Sequence, residues 1–295
     1  QMLSDPQMPY TKSLWAVRSL EKAEAPPAEP LLRAEHINAG YRGIPVLHDV
    51  SIEVQRGHTV AVVGESGSGK TTLARVIAGL MPATTGTLAF NGAALPISRK
   101  QRSRDDLRRI QMVYQSADTA LNPRHTVRKL LGRPLQLYFG LRGAELEREV
   151  RTLLGMIEMQ DGFIERYPGE LSGGQKQRVS IARALAVKPE LIICDEVTSA
   201  LDQVVQEGIL KLLMNLQREL QVSYLFITHD LATVRAIADE VVVMHRGRVV
   251  EHGMRSDVFA PPHEAYTESL LASVPQMDPD WLTEFTSRVP VPREA

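Results

Sequence analysis

From Leu31 onward, apolar and polar positions alternate in strand fashion, with successive strands predicted at Val46–Val54 and Thr59–Val63. A Gly-rich turn then leads into a helix over about 69–80, a strand at 86–90 and a basic, polar insertion at 96–109. After a strand at Ile110–Tyr114 comes a mostly helical stretch, roughly 116–187. The rest alternates: strand Leu191–Cys194, a long helix near 203–220, strand Tyr224–Thr228, a helix near 230–238, and a hairpin turning at Arg246-Gly247. Strands interleaved with helices predict an α/β fold with a largely parallel sheet. Within it, 116–187 reads as an inserted helical subdomain.

The amino end has a different texture. Residues 1–20 hold a short helical-looking segment, and 21–30 (EKAEAPPAEP) reads as a Pro/Ala/Glu linker without core-forming residues. Tyr-Thr-x-Ser-Leu occurs twice, at Tyr10–Leu14 and Tyr266–Leu270, 256 residues apart. Such an offset is the length of a domain rather than of a solenoid repeat. Either the match is a chance recurrence of a helix-start motif, or residues 1–20 are the tail of a preceding domain homologous to this one. Gln1 is not an initiator methionine, and the chain is read as a piece of a longer protein.

Composition narrows the function classes. The 34 Lys+Arg and 35 Asp+Glu give a net charge of −1, which does not mark a binder of nucleic acid or anionic membranes. Six basic residues lie between Arg99 and Arg109, but Asp105 and Asp106 interrupt them, as in a solvated charged face. One cysteine, Cys194, forms no internal disulfide and fits a reducing compartment; its strand position suggests packing rather than redox chemistry. His245, His252 and His263 lack metal-ligand spacing. Apolar runs such as Leu191-Ile192-Ile193 fall far short of the roughly 20 residues of a membrane helix. The chain is therefore expected to be soluble and to reach a membrane only through partners.

The chemistry concentrates in three places. Gly64-Glu65-Ser66-Gly67-Ser68-Gly69-Lys70-Thr71 matches the phosphate-binding pattern G-x-x-x-x-G-K-[ST], entered by a strand and left by a helix, with Thr72 inside the same cradle. Its glycines let amides turn inward around phosphate oxygens, and the helix start adds a positive dipole end. Lys70 can bridge the β- and γ-phosphates, and the Thr71 hydroxyl can ligate Mg²⁺. Leu191–Cys194 runs into Asp195 and Glu196. These carboxylates either cap a helix or, beside a phosphate loop, hold Mg²⁺ (Asp195) and polarise an attacking water (Glu196). Leu171-Ser172-Gly173-Gly174-Gln175 reads either as an ordinary helix start or as a second anion site.

In this order, the motifs resemble the ATP-binding cassette (ABC) transporter ATPases over about residues 31–275. The phosphate loop is followed by Gln115, LSGGQ at 171–175, ICDE at 193–196, Ser199-Ala200-Leu201-Asp202, and Thr228-His229-Asp230. The resemblance implies a P-loop NTPase fold with an ABC-type antiparallel β-subdomain and the inserted helical subdomain, the cassette proper spanning 31–254. It implies that ATP lies between two cassettes, under the phosphate loop of one and the LSGGQ of the other. Tyr41 would stack on adenine, Gln115 would link Mg²⁺ and water to the helical subdomain, Asp202 would face the opposite cassette, and His229 would contact the γ-phosphate. Val197 stands where Pro or Ala is common, and Ser116–Thr119 is an atypical lead into Leu121-Asn122-Pro123-Arg124.

The LNPR segment and a tail at 255–295 containing YT-x-SL resemble the dipeptide/oligopeptide importer branch. This implies a second cassette (fused upstream, with residues 1–20 as its tail), two transmembrane permease subunits, and indirectly an extracytoplasmic solute-binding protein. No nucleic acid is implied, and the expected location is peripheral, on the cytoplasmic face of the inner membrane. Two other classes stay open: a soluble ABC ATPase acting on DNA or ribosomes, and a regulatory cassette that hydrolyses little. The former usually carries coiled coils, zinc insertions or basic linkers, and the latter usually lacks the Glu or the His.

Overall fold

A computed structural model describes residue 20 and residues 22–273. The first copy of the Tyr-Thr-x-Ser-Leu repeat lies outside them. Strands β1 (Pro30–Tyr41) and β2 (Ile44–Gln55) pair antiparallel, and β3 (Thr59–Val63) leads to helix α1 (Lys70–Ile77). Strands β4 (Thr85–Phe90) and β5 (Ala93–Ala94) follow, then α2 (Arg104–Arg109), β6 (Ile110–Val113) and α3 (Ala117–Ala120). Helices α4 (Val127–Phe139), α5 (Gly143–Met156) and α6 (Gly173–Leu185) precede β7 (Leu191–Asp195), α7 (Gln203–Leu220), β8 (Ser223–Ile227) and α8 (Leu231–Ile237). Hairpin β9 (Glu240–His245) and β10 (Arg248–Met254), then α9 (Arg255–Val258) and α10 (Ala265–Ala272), complete the described chain.

The strands form two sheets. One has four strands in the order β2-β1-β4-β5, all antiparallel; the other has six, in the order β10-β9-β3-β8-β7-β6. In the second sheet only β10, at the edge, runs antiparallel to its neighbour. Burial explains the difference in sequence texture. Every residue of β3, β7 and β8 is buried, so these strands read as continuous apolar runs, whereas β1 and β2 expose one face and alternate.

Residue parity divides the core into layers. Val60 and Val62 of β3 join Leu191, Ile193, Leu225 and Ile227 under α1 and the antiparallel sheet. On the other face, Ile192, Cys194, Tyr224 and Phe226 pack against α6, α7 and the helical insert. Ala61 and Val63 meet Leu231 and Val234 of α8, with Tyr266, Leu270 and Leu271 of α10 packed against the same cluster. Cys194 is fully buried, and burial pushes its thiol far above the ordinary range.

Two segments differ from their sequence texture. The basic insertion contains a helix, α2, closed by a reciprocal capping box between Ser103 and Asp106. The compositional linker is docked: Lys22 Nζ reaches Asp239 at 2.5 Å and Gln217 at 2.7 Å, and the Ala25 amide donates to Asp239 at 3.0 Å. Glu24 accepts from the Ser256 amide at 2.6 Å, and the Pro26 carbonyl lies 3.0 Å from His58 Nε2. It packs few apolar groups but satisfies a buried carboxylate, since the Asp239 side chain is fully buried and also accepts from the Thr59 amide at 2.7 Å. No helix among the described residues is long and apolar enough to cross a membrane.

Asp239→Ala removes the acceptor for the buried Thr59 amide and the part-buried Ala25 amide and leaves the Lys22 ammonium without its carboxylate. It should therefore lower unfolding free energy by about 3 kcal/mol, read from the midpoint of a denaturant titration. An unchanged midpoint would mean that the strap contributes nothing to holding the fold.

Candidate nucleotide site

The phosphate loop leaves β3 at Gly64, whose φ is +144°. A Cβ there would fall 2.1 Å from the Met244 carbonyl oxygen, so only glycine lets the loop pass so close to β9. The loop ends at Gly69, which starts α1 without any side-chain cap and leaves the helix's first amides free of one. Lys70 is buried, with Nζ 2.7 Å from the Gly64 carbonyl, 2.8 Å from that of Glu65 and 3.4 Å from Ser68 Oγ. Burial pulls its pKa below the ordinary lysine range, while the negative charges of Glu196, Asp195 and Glu65 oppose the shift. The result is a desolvated cation surrounded by neutral acceptors, to which an anion would bind strongly.

Thr71 Oγ1 donates to Asp195 Oδ1 at 3.0 Å, joining the loop to the end of β7. Burial raises the Asp195 pKa; the Thr71 hydrogen bond opposes this, and Glu196 next to it adds to the rise. Glu196 takes a left-handed backbone, φ +50°, with its amide bonded to the Ile227 carbonyl at 3.0 Å. The chain turns there, so the second carboxylate does not continue the strand. Glu196 Oε2 accepts from Gln115 Nε2 at 2.9 Å, and Oε1 lies 3.5 Å from His229 Nδ1. Three residues drawn from the ends of β6, β7 and β8 therefore converge, as expected where parallel strands end.

Ser199 opens the motif that ends at Asp202 but has no role assigned from the sequence; its hydroxyl lies 3.3 Å from Gln115 Nε2 and donates to the Glu196 carbonyl at 3.0 Å. Thr228 is buried and accepts from the Asp230 amide at 3.0 Å, and Asp230 caps α8, so the backbone of the exposed His229 is held from both sides. Tyr41 ends β1 in an exposed position and accepts a hydrogen bond from Arg75 of α1 at 3.0 Å, which sets its ring beside the phosphate-loop helix. The Arg75–Tyr41 contact, 34 residues apart, carries no local sequence signal.

The LSGGQ segment opens α6 with a capping box, Ser172 Oγ accepting from the Gln175 amide at 3.3 Å and Gln175 Oε1 from the Ser172 amide at 2.9 Å. A Cβ on Gly174 would lie 2.5 Å from Val205 Cγ1, so this glycine permits the close approach of α6 to α7. Asp202 caps α7 through the Val205 amide at 3.0 Å. Among the described residues, no hydrogen bond or ion pair joins 171–175 or Asp202 to the phosphate loop. The atypical lead after Gln115 has a definite role: Ser116 caps α3, and Asp118 pairs with Lys176 of α6 at 2.6 Å.

Residues 47–199 match the ABC transporter family. The chain belongs to this family. Residues 250–295 match the C-terminal region of oligopeptide/dipeptide transporters. A protein of Sinorhizobium fredii named as a peptide ABC transporter ATP-binding protein is 44% identical over 256 residues, 85% of this chain and 72% of that one. A Brucella ovis protein named as a peptide import ATP-binding protein is 40% identical over 252 residues, 85% and 79% of the two chains. Among solved structures, cbiO1 of Clostridium perfringens, part of the ABC transporter complex cbiONQ, superposes with a TM-score of 0.71 at 30% identity, covering 78% of this chain and 91% of that one. A dimeric post-hydrolysis ATP-binding cassette bound to ADP and Pi gives a TM-score of 0.65 at 29% identity, covering 76% and 98%.

Because burial disfavours the Lys70 charge, Lys70→Met should leave thermal stability unchanged or higher while weakening ATP binding by roughly 100-fold, the scale of a charged partner lost from a buried site. Differential scanning fluorimetry with and without ATP reads both effects. A variant that still gains thermal stability from ATP would remove Lys70 from the site.

Proposed function

We propose that this chain is the ATP-hydrolysing subunit of an ABC importer that takes up peptides or peptide-like solutes. The observation that carries the proposal is the convergence of Gln115, Glu196 and His229 next to the Thr71–Asp195 contact. There the phosphate cradle and a base able to activate water are adjacent. The peptide class rests on the C-terminal region match and on the names of the relatives.

The roles follow from the chemistry at each position. Gly64 to Thr72 would surround the phosphates with amides, and Tyr41 would carry the adenine. Lys70 would exchange its carbonyl acceptors for phosphate oxygens. A water held by Glu196 attacks the γ-phosphorus and gives its proton to that carboxylate; the bond to the bridging oxygen breaks, leaving ADP and inorganic phosphate. His229 would bind a γ-phosphate oxygen and, with Gln115, fix the carboxylate's orientation. Mg²⁺ fits the hard oxygen donors available: Thr71 and Asp195, with Gln115, would hold it. The charge of Asp195, disfavoured by burial, would be stabilised by a cation placed there. When bound, the ion neutralises charge on the phosphates.

The LSGGQ segment and Asp202 would serve the site of a second cassette, whose own LSGGQ would close over this phosphate loop. The repeat at Tyr10–Leu14 and Tyr266–Leu270 supports a fused arrangement, with residues 1–20 as the preceding tail and 21–30 between the two cassettes. A groove of about 470 Å³ at the seam of sheet and helical insert is lined by Leu80, Tyr114, Leu137, His125, Lys129 and Arg133. Three of these expose large apolar surface, and Tyr114 directly precedes Gln115. We assign this groove to a transmembrane permease subunit, one of two, so that movement there reaches Glu196 through Gln115. The chain would thereby sit at the cytoplasmic face of the inner membrane, with a solute-binding protein acting on the far side.

With Mg²⁺ present, ATPase rate per chain should rise steeply with protein concentration, and fusion to an upstream cassette should relieve that dependence. Glu196→Gln should lower the rate by about 100-fold or more and accumulate an ATP-dependent dimer in light scattering. A rate per chain independent of concentration, with no dimer in Glu196→Gln, would overturn the shared-site reading.

A further inference from the structure

The phosphate loop has an outer side as well as a cradle, and its polar backbone there is also satisfied. Gly247, at the tip of the β9–β10 hairpin, donates its amide to the Ser68 carbonyl at 2.9 Å. The Glu65 amide donates to the phenol oxygen of Tyr266 at 3.0 Å. Tyr266 lies on α10, 201 residues away in sequence, inside the segment that matches the oligopeptide/dipeptide transporter C-terminal region.

The phenol is firmly placed. Its ring packs on the imidazole of His245, the last residue of β9, with centroids 3.9 Å apart and planes tilted by 37°. Tyr266, Leu270 and Leu271 together pack against the cluster of Val63, Val243, Leu231 and Val234. Val63 is the residue immediately before Gly64, so the helix touches both the strand that delivers the loop and the loop itself. A side chain with one rotatable hydroxyl, braced by a ring stack, is a low-entropy way to hold one peptide group.

We infer that Tyr266 is a positioning residue for the phosphate loop, and that α10 is a latch tying the C-terminal region to nucleotide affinity. Its hydroxyl fixes the peptide group between Gly64 and Glu65, whose carbonyl, that of Gly64, in turn accepts from Lys70 Nζ at 2.7 Å. Holding that peptide from outside sets where its carbonyl points inside. Any partner that shifted α10 would loosen the cradle without touching ATP. This inference rests on the loop being the nucleotide site.

Tyr266→Phe in the full chain keeps the ring stack and the packing but deletes the acceptor. It should raise the Kd for ATP and the KM for hydrolysis by about 3- to 10-fold, the equivalent of one hydrogen bond. The kcat at saturating ATP should stay within about twofold, since nothing at Glu196 changes. Hydrogen exchange at the Glu65 amide should speed up while exchange in β3 and α8 does not. Unchanged Kd and unchanged Glu65 exchange would overturn the latch. A fall in kcat and thermal stability with KM unmoved would also overturn it, by making Tyr266 a packing residue only. If the wild-type chain itself bound no ATP, the reading of the loop would fail instead; wild-type binding with an indifferent Tyr266→Phe would sink the latch alone.

Discussion

Asp195 is a carboxylate at the end of a strand whose every residue is buried, and the surrounding site is built around the cost of that placement. Burial disfavours its charge, and the charge of Glu196 beside it adds to that cost. The compensation comes from the Thr71 hydroxyl, Arg75 and Lys70, all on one loop and the first turns of one helix. Lys70, itself desolvated, gains from the same arrangement in reverse. Strand end and phosphate loop thus hold each other at a fixed distance, and a hollow that favours an anion and a cation together follows from their mutual need.

Placing two carboxylates in succession would aim one into the core if the strand continued. The left-handed turn at Glu196 avoids this, and the Ile227 carbonyl bonds the amide that the turn exposes. Asp195 faces α1, and Glu196 faces Gln115 and His229. Val197 then returns the chain to the core at 2% exposure. A pair that reads in sequence as one acidic spot is, in space, two sites with opposite orientations.

Much of this was legible in the sequence because it depends on local rules. The phosphate loop needs glycine where backbone approaches backbone, and Gly64 shows that need directly. Buried parallel strands such as TVAVV and LIICD read as apolar runs, and the helix starts at Ser172, Asp202 and Asp230 carry capping residues. The Ser103–Asp106 box was also local, but a run of arginines obscured it. What stayed hidden is non-local or polar. The strap at 22–29 packs few apolar residues yet satisfies Asp239, which no hydrophobic pattern reports. The Arg75–Tyr41 and Glu65–Tyr266 contacts span 34 and 201 residues, and each uses a tyrosine hydroxyl that composition cannot place.

The helical insert shows how one geometry could serve two tasks. Gln115 leaves β6 and bonds Glu196; three residues later Asp118 pairs with Lys176, one turn into the helix that LSGGQ opens. A displacement at the seam groove would therefore move the base's neighbour and the LSGGQ helix together. Within the single chain, however, Ser172 and the first amides of α6 meet no phosphate-loop group by hydrogen bond. The Lys70 cradle supplies one cation and a set of amides from one side, whereas the γ-phosphate develops charge on all of its equatorial oxygens during transfer. His229 would add one donor, and the LSGGQ of the proposed partner cassette would supply a further set from outside the chain. On that reading, the separation of the two anion-binding elements within one chain is what makes hydrolysis depend on assembly.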